Sequence, residues 1–344
     1  MLEESTFFKD DICREVLEKY NIQVDKIEVI NKGTANIYKL FSRNDTYVLK
    51  EFQSKYSEKD VMREINAVKY LKQNSSIPLP EFIEGKNGEY YFKHKGKTVI
   101  LQRFIEGNVY NKNEGNYENL IESAHYLGEI IKGFEGIEIE DSISIQDWYS
   151  KEEIEIANQK YDAILEKVGN SKIDNKIKDD IKFKKNILLE LQRTVDFSEI
   201  NKITHKVSHG DYSCLQFIYD EKNKIKAIID FIKVKKLPVI WEIARSYSYI
   251  DKDAKDGELN IKNIVDYTRE VAKVTELNEH DFKYLPYVYL IQLARSPFGY
   301  EQYFKNVKNK DELLNFAFYR TNICRDLSKK AEQISNQLLN IEGD

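Results

Sequence analysis

The amino-acid sequence predicts an α+β fold of two lobes, in which a small β-rich lobe precedes a larger helical lobe. After a segment with helical spacing of apolar residues at 7 to 20, the first hundred residues consist mainly of short alternating or apolar runs. Such runs are typical of strands. A single helical segment, residues 57 to 74, interrupts them. From residue 117 onward helical spacing dominates, and only residues 203 to 232 return to short apolar runs.

The small lobe is predicted to form a five-stranded antiparallel sheet with one inserted helix. Ser57 is a suitable N-cap for this helix, although Asp60 stands where a capping box normally has Glu or Gln. The segment I-P-L-P at residues 77 to 80 ends the helix, because a residue that precedes proline disfavours helical backbone. The strands are predicted at residues 25 to 30, 36 to 41, 46 to 52, 89 to 93 and 98 to 104.

The large lobe is predicted to be helical apart from one β-hairpin, which turns at E-K-N-K, residues 221 to 224. A crossing segment, I-E-G-N-V at residues 105 to 109, joins the lobes, which we place at residues 1 to 105 and 106 to 344. The predicted helices span residues 117 to 134, 147 to 168, 175 to 195, 239 to 250, 261 to 275, 280 to 305 and 311 to 338.

Composition excludes several functional classes. The net charge of −5 is unlike the basic footprint of a nucleic-acid-binding protein. The three cysteines, Cys13, Cys214 and Cys324, form no C-x-x-C pair, so neither a disulfide framework nor a zinc site is expected. The acidic N-terminus has no apolar signal segment, and no run approaches the roughly 18 apolar residues of a membrane span. We expect a cytoplasmic protein without a nucleic-acid or membrane partner.

Three polar residues around the predicted hairpin stand in an order that suits phosphoryl transfer. Asp211 ends the tripeptide H-G-D, Gln216 follows five positions later, and Asp230 lies nineteen positions after Asp211. Phosphoryl transfer uses a carboxylate that accepts the proton of the attacking hydroxyl, together with oxygen donors for Mg²⁺. Asp211 is the candidate catalytic base, and Gln216 and Asp230 are the candidate metal ligands. Gly210 permits a tight loop before the base.

A second group of candidates lies in the small lobe. Lys50 follows the apolar run Y-V-L on the third strand, where its ammonium is suited to clamp the phosphates of a nucleotide. Glu64, on the inserted helix, is the preferred ion-pair partner, and Glu58 is the alternative. Residues 31 to 36, N-K-G-T-A-N, contain Gly33 and are expected to cover the phosphates with backbone N–H groups.

Together these segments resemble the superfamily of aminoglycoside phosphotransferases and choline kinases, which are small-molecule kinases with a protein-kinase-like fold. Spore-coat-associated kinases of this superfamily are similar in layout. The resemblance implies ATP and Mg²⁺ as cofactors, and it adds Gln102 to the nucleotide-binding residues. It extends over most of the chain and rests on the turn at Gly33, Lys50, Glu64, Q-R-F-I-E-G at residues 102 to 107, H-G-D at 209 to 211 and I-I-D-F at 228 to 231.

Two positions depart from the pattern of that superfamily. The motif H-G-D-x-x-x-x-N usually ends in Asn, whereas this chain has Gln216 after the loop Y-S-C-L. Because Gln keeps an amide oxygen, metal binding is expected to survive. In L-P-V-I-W-E-I-A-R-S, residues 237 to 246, Glu242 stands where the superfamily more often has Asp. We expect Glu242 to tie its helix to the loop of Asp211.

The residues and the resemblance together lead to an expected function. We expect an enzyme that transfers the γ-phosphate of ATP to a hydroxyl group of a small molecule, with an aminoglycoside-like or other cationic or polyhydroxyl acceptor. Acids and aromatic rings that suit a cation occur at residues 241 to 251, Asp253, Asp256 and 299 to 304. The alternative is a non-catalytic, nucleotide-binding or spore-coat-associated module, which Gln216 and the Y-S-C-L loop would favour. Phosphorylation of proteins is disfavoured, because the sequence contains neither D-F-G nor A-P-E.

Overall fold

The computed structural model describes residues 3 to 30, 35 to 43 and 45 to 340 of the chain. The chain divides into two compact units, each made of two segments. The first comprises Met1–Val109 and Gln216–Val234, and the second comprises Tyr110–Leu215 and Lys235–Asp344. The units differ from the predicted lobes in two respects. The first unit extends to Val109 rather than to residue 105, and the segment Gln216–Val234, which the prediction places in the helical lobe, packs with the β-rich unit.

Strands are more numerous than helices in the described part of the first unit, and helices dominate the second. Along the chain they are α1 (Lys9–Tyr20), β1 (Lys26–Ile30), β2 (Asn36–Phe41), β3 (Thr46–Glu51), α2 (Glu58–Asn74), β4 (Tyr91–His94), β5 (Lys97–Arg103), α3 (Tyr117–Gly133), α4 (Lys151–Leu165), α5 (Lys172–Thr194), α6 (Phe197–Ile200), β6 (His205–Ser208), β7 (Phe217–Tyr219), β8 (Ile225–Ile228), β9 (Lys235–Pro238), α7 (Val239–Ile250), α8 (Ile261–Val274), α9 (Glu279–Arg295), α10 (Tyr300–Phe304) and α11 (Lys310–Leu339).

The predicted five-stranded antiparallel sheet is confirmed, with the strand order β1-β2-β3-β5-β4. Successive side chains of a strand point to opposite faces, so Leu49 and Lys50 of β3 face different sides. Leu49 belongs to the same apolar cluster as Ile12 of α1. Ile100, which lies opposite Lys50 on β5, belongs to the cluster that contains Val61 of α2. The ammonium of Lys50 is therefore directed to the side of the sheet that α2 covers.

The inserted helix α2 begins with a capping box, although its third residue is an aspartate. The backbone N–H of Asp60 donates to Oγ of Ser57 at 3.2 Å, and the backbone N–H of Ser57 donates to Oδ2 of Asp60 at 2.8 Å. Two of the helix's unpaired N-terminal donors are thereby satisfied. The predicted N-cap at Ser57 is confirmed, and the shorter aspartate side chain performs the role usually taken by glutamate.

The predicted hairpin is confirmed as β7 and β8, and backbone hydrogen bonds hold it in the first unit. Asn108, in the crossing segment, exchanges both backbone hydrogen bonds with Tyr219 of β7, at 2.9 and 2.8 Å. The N–H of Ile228 in β8 donates to the carbonyl of Pro78 at 2.9 Å. The residues that flank the hairpin, Gln216 and Asp230, therefore belong to the same unit as the sheet.

Gly107 lies close to this hairpin because no side chain intervenes. A Cβ atom at residue 107 would lie 2.4 Å from the carbonyl oxygen of Tyr219 and 2.5 Å from Cγ2 of Ile218. We expect Gly107→Ala to displace the hairpin and to lower the free energy of unfolding by about 1–3 kcal/mol, the usual cost of overpacking. Urea denaturation measures this change. The exposed neighbour Glu106, replaced by alanine, is the control, and an unchanged midpoint in Gly107→Ala would contradict the close approach.

The second unit is a helical assembly whose core contains several buried tyrosines. The hydroxyl of Tyr161 donates to the carbonyl of Ala294 at 2.5 Å, and that of Tyr247 donates to the carbonyl of Asn260 at 3.0 Å. Buried hydroxyls need such partners, because an unpaired polar group is costly away from water. Strands β6 and β9 pair antiparallel and frame the chain segment that contains Asp211. Within the described part of the chain, no helix combines the length and apolar character needed to cross a membrane.

The prediction of one helix over residues 280 to 305 is wrong, since the chain forms two separate helices, α9 and α10. Pro297 disfavours helical backbone at Ser296, which adopts φ −85° and ψ 114°. Gly299 has φ 92°, which glycine adopts readily. The ammonium of the buried Lys184 donates to the carbonyl of Ser296 at 3.0 Å, and this contact satisfies an acceptor beyond the end of α9.

Candidate functional site

A buried lysine between two carboxylates forms the polar cluster of the first unit. Nζ of Lys50 donates to Oδ1 of Asp230 at 2.6 Å and to Oε1 of Glu64 at 3.4 Å. Lys50 is 8% exposed and Glu64 is 2% exposed, so water is largely excluded from the pair. Glu58, the alternative partner, instead accepts a hydrogen bond from the hydroxyl of Tyr91. The fold therefore joins Lys50 to Glu64 and adds Asp230 to the pair.

Each charged group of this cluster alters the pKa of its neighbours. Burial alone would lower the pKa of the Lys50 ammonium, but the carboxylates of Asp230 and Glu64 outweigh this effect and hold the pKa above its usual value. Burial raises the pKa of the Glu64 carboxyl, and the negative charge of Asp230 acts in the same direction, against the attraction of Lys50. Because two carboxylates share one ammonium, the charged form of Glu64 is disfavoured, and a further cation beside the cluster would favour it.

Asp230 presents its carboxylate from an unusual backbone conformation. It lies two residues after the end of β8 and has φ 68° and ψ 58°, in the left-handed region that few residues other than glycine adopt. The two following residues, Phe231 and Ile232, are buried, and the backbone N–H of Phe231 donates to Glu64. This packing maintains a conformation that costs free energy in an isolated chain, and such conformations concentrate at functional sites.

Gln216 lies beside Asp230 across the base of the hairpin, because its carbonyl accepts a hydrogen bond from the N–H of Ile229 at 2.9 Å. Together they offer a carboxylate and an amide, which are the hard oxygen donors that Mg²⁺ prefers. Among the described residues, no group of three or more His, Cys, Asp or Glu side chains is arranged to hold a metal ion. Mg²⁺ often binds through one or two protein groups plus water and phosphate oxygens, so this pair fits a metal that arrives with a nucleotide.

Asp211 belongs to the second unit, in the segment between β6 and β7. Gly210 adopts φ 80° immediately before it, which explains why a glycine precedes the carboxylate. The backbone N–H of Tyr212 donates to Oε1 of Glu242 at 3.0 Å, and Glu242 is fully buried on α7. The expectation that Glu242 ties its helix to the loop is thus confirmed. The hydroxyl of Tyr212 also donates to the carbonyl of Ser123 at 2.8 Å, which fixes the loop from a second side.

Arg245 is a residue of this loop region that the sequence interpretation missed. Its guanidinium forms an ion pair with Oδ1 of Asp211 and donates to the carbonyl of Tyr212 at 3.3 Å. Burial acts to lower the pKa of Arg245, but the negative charge of Asp211 outweighs it, so the pKa is raised. One signal could have indicated this role. Arg245 lies three positions after Glu242, so both side chains occupy the same face of α7.

Two further candidates for nucleotide binding are Gly33 and Gln102. Gly33 lies outside the described residues. Gln102 is half-buried on β5, opposite Val48 of β3, and its role in nucleotide binding stays a prediction. Lys50, Glu64, Gln216 and Asp230 all belong to the first unit, whereas Asp211 belongs to the second.

Comparison with known proteins gives one match to a protein family. The model described as the phosphotransferase enzyme family matches residues 26 to 273, which is more than half of the chain. A search of curated proteins finds no match.

Solved structures of similar fold include several small-molecule kinases. A spectinomycin phosphotransferase in complex with ADP and spectinomycin has a TM-score of 0.68 at 13% identity, covering 97% of this chain and 100% of that one. An amicoumacin kinase in complex with AMP-PNP, Ca²⁺ and Ami has a TM-score of 0.64 at 14% identity, covering 93% and 94%. A microcompartment-associated aminopropanol kinase has a TM-score of 0.62 at 11% identity, covering 96% and 99%. At these identities the similarity shows the fold, which confirms the predicted α+β, kinase-like architecture.

Proposed function

Because the chain belongs to the phosphotransferase enzyme family, we propose that it is an ATP-dependent kinase that phosphorylates a hydroxyl group of a small molecule. Family membership itself supports a small-molecule phosphotransferase. The observation that carries the finer proposal is the ammonium of Lys50, held between Glu64 and Asp230. A buried lysine fixed by a glutamate on the neighbouring helix, with an aspartate beside it, suits a site that binds phosphates and a metal ion.

In this proposal the first unit holds the nucleotide and the metal. Lys50 contacts the phosphates, Gln216 and Asp230 hold Mg²⁺, and Gln102 and the segment around Gly33 complete the nucleotide site. The bound metal would neutralise negative charge on the phosphates. The neighbouring structures that contain ADP, or AMP-PNP with Ca²⁺, support a nucleotide and a divalent cation for this fold. We extend the proposal to a cytoplasmic location.

The second unit supplies the catalytic base. The acceptor hydroxyl attacks the γ-phosphorus, a new oxygen–phosphorus bond forms, and the bond from the γ-phosphorus to the bridging oxygen breaks, so that ADP leaves. Asp211 accepts the hydroxyl proton. Arg245 holds the carboxylate of Asp211 through their ion pair, and Glu242 fixes the adjacent backbone. A fixed base reduces the loss of entropy when the acceptor is brought into line.

The proposal is tested by incubating the protein with Mg²⁺, ATP labelled at the γ-phosphate and a panel of hydroxylated acceptors that differ in charge. Transfer of the label to at least one acceptor, dependent on Mg²⁺, is the expected result. If the protein binds nucleotide yet transfers label to no acceptor, and its ATP hydrolysis is also undetectable, the alternative of a non-catalytic nucleotide-binding module is favoured.

A further inference from the structure

A concentration of positive charge surrounds two aromatic rings of the second unit, on the side of α7 that carries Arg245. Nζ of Lys112 lies 3.8 Å from the centre of the Phe316 ring and 5.4 Å from that of Tyr249. The guanidinium carbon of Arg245 lies 4.8 Å from the centre of the Tyr249 ring, and that of Arg320 lies 5.8 Å from the centre of Phe316. The two rings are themselves 6.0 Å apart. We call these five residues the cationic cluster.

The cluster contains more positive charges than negative partners. Arg245 is paired with Asp211, but within the described residues no carboxylate lies within ion-pair distance of Lys112 or Arg320. The guanidinium of Arg320 instead donates to two neutral oxygens, Oγ of Ser296 at 3.1 Å and Oε1 of Gln292 at 2.9 Å. An uncompensated cation in a poorly solvated site is unfavourable, so the cluster is suited to an anion from outside the chain.

Burial of these side chains increases the free-energy cost of leaving their positive charges without a negative partner. Arg320 is only 7% exposed, and its Nε has no hydrogen-bond partner in the described part of the protein. Lys112 is half-buried. Burial lowers the pKa of its ammonium and the nearby Arg245 lowers it further, while the exposed Glu312 acts in the opposite direction. A ligand anion would relieve the repulsion between these cations.

The cluster is continuous with the candidate catalytic base. Arg245 contacts both, since its guanidinium pairs with Asp211 and also lies over the ring of Tyr249. An acceptor bound at the cluster would therefore lie near the carboxylate that receives its hydroxyl proton. Tyr249 is only 5% exposed, whereas the half-buried Phe316 offers an apolar surface for the carbon skeleton of such a molecule.

We propose that the acceptor is a hydroxylated anion, whose carboxylate or phosphate group is bound by Lys112 and Arg245, beside the buried Arg320, against the ring of Phe316. This proposal rests on the proposed kinase function and specifies its substrate class. It departs from the expectation of a cationic acceptor. Among the acids behind that expectation, Asp253 already accepts hydrogen bonds from the amide groups of Asn260, at 3.0 Å, and Asn263, at 3.2 Å.

Four small molecules that share a vicinal diol test the proposal: glycerate, glycerol phosphate, glycerol and 3-amino-1,2-propanediol. They differ at the remaining carbon, which is a carboxylate carbon in the first and carries a phosphate, a neutral hydroxyl or an ammonium group in the others. Thermal unfolding is followed with each diol at matched ionic strength without nucleotide, so that anion binding is read independently of catalysis. Transfer from ATP is measured in parallel. We expect glycerate or glycerol phosphate to raise the unfolding midpoint and to be a better acceptor than the neutral and cationic compounds. Whichever of the two anions has the larger effect shows whether the site prefers a carboxylate or a phosphate.

Lys112→Met is the decisive variant. Loss of one charge-assisted contact is expected to raise the Kd or KM of the anion by about 10- to 100-fold. Lys112→Arg should retain binding, because it keeps the positive charge. Without ligand, Lys112→Met should unfold at the same temperature as the wild type or higher, because an uncompensated cation is removed. Lys176→Met is the matched control, since Nζ of Lys176 lies 4.0 Å from the centre of the Phe318 ring outside the cluster.

The outcomes separate this proposal from the kinase function. If the neutral or cationic diol is the best acceptor and Lys112→Met does not change its KM, the anion proposal is overturned while the kinase function stands. If both anions stabilise the wild type through Lys112 but no phosphate is transferred, the anion site stands and the kinase function fails. If neither anion raises the midpoint at millimolar concentration, the anion site is overturned.

Discussion

Replacement of Asp211 by asparagine is expected to reduce kcat for phosphoryl transfer by about 10²–10⁴-fold, the usual contribution of a general base. Asparagine has nearly the same shape, but its amide cannot accept the hydroxyl proton. KM for ATP should change little, because the proposed nucleotide contacts lie in the first unit, with Lys50 and Asp230. The steady-state rate of phosphate transfer from ATP to the best acceptor of the panel measures this effect.

This variant needs a check of its folding, because it removes the charge that pairs with Arg245 and an unpaired partner is destabilising. Thermal unfolding shows whether the population measured is native. Asp179→Asn, at an exposed position on α5, serves as a matched control that should leave kcat unchanged. A natively folded Asp211→Asn protein that transfers phosphate at the wild-type rate would remove Asp211 from the role of base.

The second large effect is expected for Asp230→Asn, which should lower kcat/KM by at least about 100-fold. A metal ion stabilises the charge on the transferred phosphoryl group in the transition state by several kcal/mol. It should also abolish the increase in nucleotide affinity that Mg²⁺ produces. Asparagine tolerates the left-handed backbone found at this position, and Lys50 keeps its contact with Glu64. The backbone and the clamp should therefore remain in place while the anionic metal ligand is lost.

Titration of Mg²⁺ against a fixed concentration of ATP measures this effect as the metal dependence of the rate. Asp220→Asn is the matched control, because Asp220 lies at the turn of the same hairpin and its carboxylate accepts backbone N–H groups of Lys222 and Lys224. If Asp230→Asn retains the wild-type response to Mg²⁺, Asp230 does not bind the metal.

Much of the first unit could be predicted because its signals are local. Runs of strand-forming residues marked the five strands, and the position of Lys50 after Y-V-L indicated the lysine that the fold places between Glu64 and Asp230. The helix carrying Glu64 was evident from its spacing. The hairpin itself was also predicted, but its packing with the first unit was not. The backbone hydrogen bonds between Asn108 and Tyr219 that hold it there join segments far apart in the sequence. Hydrogen bonds between backbone atoms leave no signature in residue type.

The parts that the sequence did not reveal depend on contacts between distant segments or on competing local preferences. The break between α9 and α10 was overlooked because apolar residues continue through it, although Pro297 and Gly299 oppose a continuous helix. The role of Arg245 requires the loop of Asp211 to fold against α7. Lys112, Arg245 and Arg320 come from three separate regions, so only the packed unit brings their charges to the same pair of rings.

We propose above that Lys50, Glu64 and Asp230 form a nucleotide site that uses a divalent metal. Titration calorimetry of a non-hydrolysable ATP analogue, with and without Mg²⁺, tests it most directly on the wild-type protein and on Lys50→Met. We expect the analogue to bind more tightly with Mg²⁺ than without it, and more weakly to Lys50→Met than to the wild type. Binding that is undetectable, or that is the same with and without Mg²⁺ and unaffected by Lys50→Met, would contradict it.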